Sequence, residues 1–428
     1  MSGTTPLPPD AVPAGPAAKA RDADRPALGG PFTRLWTAST ASAIGDGTSL
    51  TAAPLLASAL TSDPRLIAGV TLALTLPFAV FGIPAGILVD RVDLRRAMAR
   101  VDLFRGAVML LLCAAVATSR AGLPALYVCF FVIGTCETFF RNASQVLVPS
   151  VVPAERLVEA NGRLLSTQNA AAQFVGPLAG SLLYSVARAV PFALDAASFL
   201  TSAGLLTTLP VATPPAARAG RPRLLRDMTT GAAWLLRHRL LRNLAVTAGA
   251  VNLAVTGVLA VLVVHARVVL HLGATGYGLL LACQAVGAVL ASRAAPRLTR
   301  WAGAGRSLVL VVSAIGAACV VIRLVPSVWA VGPALALIAC ACVTWDVVVV
   351  VKRQTLIPRV LQGRVNSVYR LLAWGAMPVG AALAGVLTKA AGTPAVFTAG
   401  SAVMAVLTLR LLLGLRAGWL DGTRVRNP

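Results

Sequence analysis

Charge is what this sequence has least of. Only 12% of its 428 residues are Asp, Glu, Lys or Arg, against about 25% in an ordinary soluble domain. A water-facing surface needs polar side chains, so a chain this poor in them must be solvated in part by lipid. Acidic residues are scarcest, 15 against 38 basic ones. Histidine occurs only as His238, His265 and His271, and none has metal-ligand spacing to a cysteine. The cysteines form no CxxC pair and all lie inside apolar runs. They read as small buried hydrophobes rather than as a disulfide or metal framework. There is no HExxH and no carboxylate pair beside a histidine, which argues against a membrane-embedded enzyme. No cofactor and no metal are expected. The formal net charge of +23 would suit nucleic acid, but the arginines sit in short gaps between apolar runs with no aromatic platform beside them. Nucleic acid is therefore not an expected partner; membrane lipid is.

What is present is long apolar runs. Hydrophobic residues make up 57% of the chain, and a helix needs about 20 of them in succession to cross the hydrocarbon core. Runs of that length start near residues 34, 66, 97, 123, 164 and 190, and again near 243, 276, 307, 328, 366 and 393. The expected fold class is an all-α membrane protein with twelve transmembrane helices in two six-helix bundles. The first run ends near Ala57-Ser58-Ala59, which looks like a signal-peptide cleavage site. At about 25 residues it is too long for a signal sequence and it contains Asp46, so it reads as a retained helix.

Basic residues fix the expected orientation. The gap after the second run holds Arg91, Arg95, Arg96 and Arg100, and the gap after the eighth holds Arg293, Arg297, Arg300 and Arg306. The gaps after the fourth, sixth and tenth runs are similarly basic, whereas the alternate gaps hold about one basic residue each (Arg65, Arg120, Arg188, Arg267, Arg323, Lys389). The even-numbered gaps and both termini are thus expected on the cytosolic side of a cell membrane. A missed or extra crossing would break this alternation.

The organisation expected is a disordered tail over 1–31, a six-helix bundle over 32–211, a cytosolic linker over 212–242, a second bundle over 243–415 and a tail over 416–428. Within the linker, Leu224, Leu225, Met228, Ala232 and Leu235 recur at helical spacing and predict a surface amphipathic helix. The bundles look like repeats: Asn161-Gly162-Arg163 resembles Gln362-Gly363-Arg364 at an offset of 201, and the same offset maps Gly86 onto Gly287 and Pro177 onto Pro378. Parallel repeats joined by a cytosolic linker are a transporter plan, with substrate near the midplane.

On these residues the chain, from 32 to 415, resembles the major facilitator superfamily. The most specific motif is Gly86-Ile87-Leu88-Val89-Asp90-Arg91 followed by Arg95-Arg96. Asp93 stands where the superfamily has a second glycine, and Leu94 interrupts the basic cluster. The resemblance implies that Gly86, Asp90, Arg91, Arg95 and Arg96 form a loop that latches the bundles together, with Asp90 against a helix N-terminus, where the dipole favours a carboxylate. Gly176, Pro177 and Gly180 resemble the antiporter motif of drug exporters, with Ser181 in place of its last glycine. Ser42-Ala43-Ile44-Gly45-Asp46-Gly47, Asp90-Arg91-Val92-Asp93 and Gln362-Gly363-Arg364-Val365 look like the branch containing enterobactin-type siderophore exporters and macrolide efflux proteins. The implied function is proton-coupled export of a small organic molecule by a monomer. Import uses the same fold, and only the Gly-Pro motif and the branch favour export.

Five acidic residues fall inside runs: Asp46, Asp102, Glu137, Asp195 and Asp346. Each costs about 2.5–3.5 kcal/mol at a helix centre, so each should face a cavity or a partner. Asp46 shares a helix face with Ser42 and Ser49. Glu137 has Arg141 one turn on. In the implied fold Asp46, Glu137 and Arg141 share one cluster, and a change in their separation would switch protonation. Asp102 and Arg105, one turn apart, are expected to brace the latch loop. Asp195 is expected near a solvated helix end, and Asp346 is expected to pair with Arg370. Asn169 and Gln173, with Ser166, form one polar stripe, and Asn252 and Thr256 form another. Each stripe is either a substrate contact or interhelical glue.

Overall fold

A computed structural model describes residues 28–89, 92–210, 224–358 and 361–417. Asp90 and Arg91 of the expected latch loop, the first part of the linker and most of both tails lie outside the described residues. All regular structure among the described residues is helical. The first helices are α1 (Gly29–Leu60), α2 (Pro64–Val89), α3 (Leu94–Ala117) and α4 (Leu123–Val151). They are followed by α5 (Leu157–Ala170), α6 (Gly176–Val186) and α7 (Val190–Thr207). The remainder are α8 (Leu224–Arg237), α9 (Arg239–Val264), α10 (Ala274–Leu324), α11 (Val328–Leu356), α12 (Gln362–Trp374), α13 (Ala376–Ala391) and α14 (Thr393–Arg416).

Breaks in these helices follow from particular residues. Pro177 has no N–H to donate, and a π-turn over Ala171–Val175 precedes it, separating α5 from α6. Pro378 sits just past Gly375, where α12 gives way to α13. Helix α10 turns sharply at Gly303, whose φ of 77° lies in the left-handed region that costs a residue without Cβ little. Asp93 caps α3, its side chain accepting from the Arg96 N–H.

Eight helical stretches among the described residues are long and apolar enough to cross a membrane. Helices α1, α3 and the α5–α6 pair are not among them. They are the helices that carry Asp46, the Asp102–Arg105 pair and Gln168–Asn169. Polar side chains therefore gather on these less apolar helices.

Packing places α1 against α7 and α6, α3 against α7, and α2 against both α4 and α13. Helix α9 lies on α13, and α10 on α11, α14 and α6. The main core includes Leu55, Met109, Phe130, Phe192, Phe199, Leu262 and Phe397, all buried. Leu111, Val186 and Trp329 are strongly exposed, as lipid-facing side chains are. Backbones approach closely where residues are small. A Cβ on Gly176 would stand 2.6 Å from the Gly47 Cα, and one on Gly180 would stand 2.5 Å from the Thr48 carbonyl oxygen. The Gly-Pro motif of α6 thus serves as a contact surface for α1.

Candidate functional site

Near the middle of α1, α3 and α4 lies one buried guanidinium, that of Arg105. Its side chain is fully buried. Nη2 donates to Asp46 Oδ1 of α1 at 2.8 Å and to Glu137 Oε2 of α4 at 3.1 Å, while Nη1 donates to Asp102 Oδ1 at 3.3 Å. The cation lies 4.0 Å from the Phe199 ring centroid and 5.7 Å from that of Phe140, within range of cation–π attraction. Ser202 donates to the other Asp102 oxygen. Arg141 Nε donates to Glu137 Oε1 at 2.9 Å, but its side chain is 58% exposed. One arginine therefore ties three helices together, and a second reaches the cluster only through Glu137.

This arrangement corrects several expectations. Arg105 and Asp102 are engaged inside the bundle, whereas Asp90 and Arg91 of the loop they were expected to brace lie outside the described residues: Arg105, three turns into α3, bonds Asp46 and Glu137, and Asp102 bonds Arg105 and Ser202. Arg141 is not the cation shared by Asp46 and Glu137; Arg105 is. Asp195 is not solvated. It is 1% exposed, and its Oδ1 accepts from Ser198 Oγ at 3.4 Å, because α7 packs on α1 at Gly45, where a Cβ would strike Ser198 and Asp195. Asp346 and Arg370 form no ion pair; Arg370 stacks instead on Trp374, one turn along its own helix, 4.4 Å from the ring centroid.

A cavity of about 440 Å³ opens beside the cluster, within the size range of pockets for drug-sized ligands. Asp46, Glu137, Arg141 and Asp195 line it, with Ser39, Ser42, Ser49, Gln168 and Asn169. Leu50, Leu74, Phe78, Phe130 and Ile133 supply apolar wall. It extends toward the end where α4 stops, at Ser144 and Gln145, and α5 begins, at Asn161 and Leu164. Of the polar candidates, Ser42, Ser49 and Asn169 are among its lining residues; Gln173, Asn252, Thr256 and Asp346 are not. Asn252 donates to the Ala373 carbonyl at 2.9 Å, where α12 ends. That is the gluing role rather than a place in this cavity. Thr256 is buried within α9, and Asp346 and Gln173 are exposed.

The opposite end is closed. Lys389 Nζ of α13 donates to Asp63 Oδ2 at 2.6 Å, and Arg65 Nη2 donates to the same oxygen at 3.0 Å. Arg267 reaches the Ser58 carbonyl at 3.2 Å. A Cβ on Gly385 would stand 3.0 Å from the Ala68 Cβ, so α13 and α2 touch there. Phe78 meets Trp374 edge to face, with centroids 6.4 Å apart. In the expected latch region, Arg95 Nη1 donates to the Leu209 carbonyl at 2.6 Å. Arg96 pairs with Asp93 at 3.4 Å, and Gly86 lies within α2.

A helical bundle with a partly charged cavity extending toward one end and ion pairs closing the other is the build of a transporter of the major facilitator type. The chain belongs to the family described as transmembrane secretion effectors, whose family model matches residues 26–420. It is 32% identical over 111 residues to macrolide efflux protein A of Enterococcus faecalis, a match over 26% of this chain and about a third (34%) of that protein. Among solved structures, the nucleoside transporter NupG aligns with a TM-score of 0.73 at 12% identity, covering 90% of this chain and 99% of NupG. A bacterial homologue of the iron transporter ferroportin in its inward-facing state aligns with a TM-score of 0.71 at 15% identity, covering 89% of this chain and 98% of that one. Family and structural neighbours alike are transporters.

Arg105 was missed as the hub because spacing along one helix pairs it only with Asp102. A signal was present nonetheless: an arginine this far into a crossing cannot reach water and must meet a carboxylate from another helix.

Proposed function

We propose that the chain is a proton-coupled exporter of a small organic molecule in the cell membrane, working by alternating access. In this reading α5 with α6, and α12 with α13, are single crossings interrupted ahead of Pro177 and Pro378. Helix α10 is two crossings divided at Gly303, which brings the count to twelve, in bundles over 32–211 and 243–415 joined by the linker 212–242. The basic gaps put both termini and the open end of the cavity on the cytosolic side, and the Asp63–Lys389 pair on the outer side. Substrate enters from the cytosol while the outer end is held shut.

The observation that carries the proposal is the sharing of one guanidinium by Asp46, Glu137 and Asp102 at the wall of the cavity. A buried carboxylate is stable as an ion only while its counter-charge stays close. During the transport cycle a shift of α1 or α4 against α3 within the first bundle removes one carboxylate from Arg105, and that carboxylate must take up a proton. The return stroke releases it. Direction of transport rests on the family and on the Gly176-Pro177 motif.

The test uses everted membrane vesicles energised by a pH gradient. Asp46→Asn should abolish proton-coupled accumulation of a transported compound while the protein still inserts; undiminished transport would remove Asp46 from the coupling step. Accumulation by intact cells that depends on this chain would reverse the direction.

A further inference from the structure

The second bundle is almost without acid. From Arg239 to Arg416 the sequence carries one carboxylate, Asp346, and that lies on α11. Helix α14 packs on α9, α10 and α13. Arg410 stands on α14, about 9 Å inside the helix end at Arg416 by the rise per residue. An arginine at that depth in an apolar helix is costly unless a partner meets it. Its Nη2 donates to Asn243 Oδ1 of α9, a buried side chain. Among the described residues no carboxylate pairs with it. A guanidinium that snorkels toward water extends freely along its own helix; the bond to Asn243 holds this one against α9 instead.

The surroundings suit a lipid. Arg239 lies one turn from Asn243 toward the start of α9, on the same helix face. It is exposed, and it too has no carboxylate partner among the described residues. Arg242 is engaged elsewhere, its Nη1 donating to the Leu236 carbonyl at 2.9 Å. One turn deeper the exposed side chains are apolar: Val246 on α9 and Val406 on α14. Two guanidiniums above exposed apolar side chains match a phospholipid, with phosphate above and acyl chain below. Arginine forks fit phosphate oxygens, and basic pockets between transmembrane helices take anionic head groups. A head group with its own cation, such as choline, would set that cation against the guanidiniums.

We propose that Arg239 and Arg410 bind the phosphate of an anionic phospholipid, whose acyl chain lies along Val246 and Val406. The lipid supplies the negative charge that the second bundle lacks and joins α14 to the start of α9. The site is separate from the cavity and does not depend on what the chain carries.

The experiment places the full-length chain in nanodiscs of phosphatidylglycerol and phosphatidylcholine. A bimane probe is attached to Leu413→Cys in a cysteine-free background; Leu413 is exposed one turn beyond Arg410. Leu103→Cys, on exposed surface of α3 in the first bundle, is the control position. Phosphatidylglycerol with a nitroxide on its chain should quench at Leu413 about threefold more than labelled phosphatidylcholine, and the two should quench alike at Leu103. Arg239→Gln with Arg410→Gln, checked for a monodisperse elution profile, should bring Leu413 to the ratio seen at Leu103. Equal quenching by the two lipids at Leu413, the same preference at Leu103, or a preference that survives the double substitution overturns the proposal. The comparison of the two positions with both arginines in place does not depend on the variant folding.

Discussion

Replacing Arg105 by methionine tests the central claim that one buried guanidinium holds α1, α3 and α4 in register. Methionine keeps an unbranched stem against Phe199, which lies 4.0 Å from the Arg105 guanidinium, and removes only the charge and its donors. Three contacts vanish, at 2.8, 3.1 and 3.3 Å, and the carboxylates they served stay behind. Breaking a buried ion pair from one side costs about 3–5 kcal/mol, chiefly because the partner is left uncompensated. At 1.4 kcal/mol per decade, the folded-to-unfolded ratio should fall by roughly two to three and a half orders of magnitude. The assay is unfolding of purified protein in mixed micelles titrated with sodium dodecyl sulfate, followed by tryptophan fluorescence. Arg105→Lys should fall between, since one ammonium nitrogen cannot reproduce two terminal nitrogens spread over three carboxylates. Adding Asp46→Asn and Glu137→Gln to Arg105→Met should recover a large part of the loss, because orphaned carboxylates rather than missing contacts dominate it. An Arg105→Met protein within about 1 kcal/mol of the parent, the range of a solvated surface pair, would refute the reasoning, for then the cluster is hydrated and holds nothing together.

Two further outcomes follow from the packing and the closed end. Gly176→Ala, whose Cβ would press on the Gly47 backbone, should destabilise by about 1–3 kcal/mol in the same titration, whereas Gly82→Ala, with open space around it, should be neutral or mildly stabilising. Asp63→Asn should speed maleimide labelling of a cysteine placed at Ala68 several-fold in a cysteine-free background, since Lys389 then loses its anchor. Hydrogen bonds from Arg65, and next from Lys389, hold the Asp63 carboxyl well below the usual range. A depressed carboxyl keeps its contribution above the ordinary Asp value of about 3.9 and loses it only as pH falls through the depressed value. Labelling of the parent, normalised at each pH to the labelling of a free thiol because the thiolate is the reacting form, should therefore not change between about pH 8 and pH 5; a rise in the normalised rate within that window would contradict the ion-pair reading.

Much of this protein is legible along the chain. Apolar runs and the length of a bilayer crossing dictate helices, and their breaks were marked by the residues that cause them: Pro177 and Pro378 through the missing donor, Gly303 through its freedom at positive φ. The sequence also singled out Asp46 and Glu137, because an acid inside an apolar run is too costly to be accidental. What it could not decide was partnership. Spacing relates residues on one helix only, so it pairs Arg105 with Asp102 and Arg141 with Glu137, contacts the structure keeps, and says nothing of Arg105 with Asp46; the pairing expected between Asp346 and Arg370 on neighbouring helices does not form. Which faces of α1, α3, α4 and α7 meet depends on how side chains and small residues interlock across helices, as at Gly45 and at the Gly47–Gly176 contact. That interlocking turned Arg105 inward to three carboxylates, buried Asp195 and put Asn252 to work on a backbone carbonyl. The chain by itself determined that these charges had to be satisfied inside lipid; only the tertiary packing decided by whom.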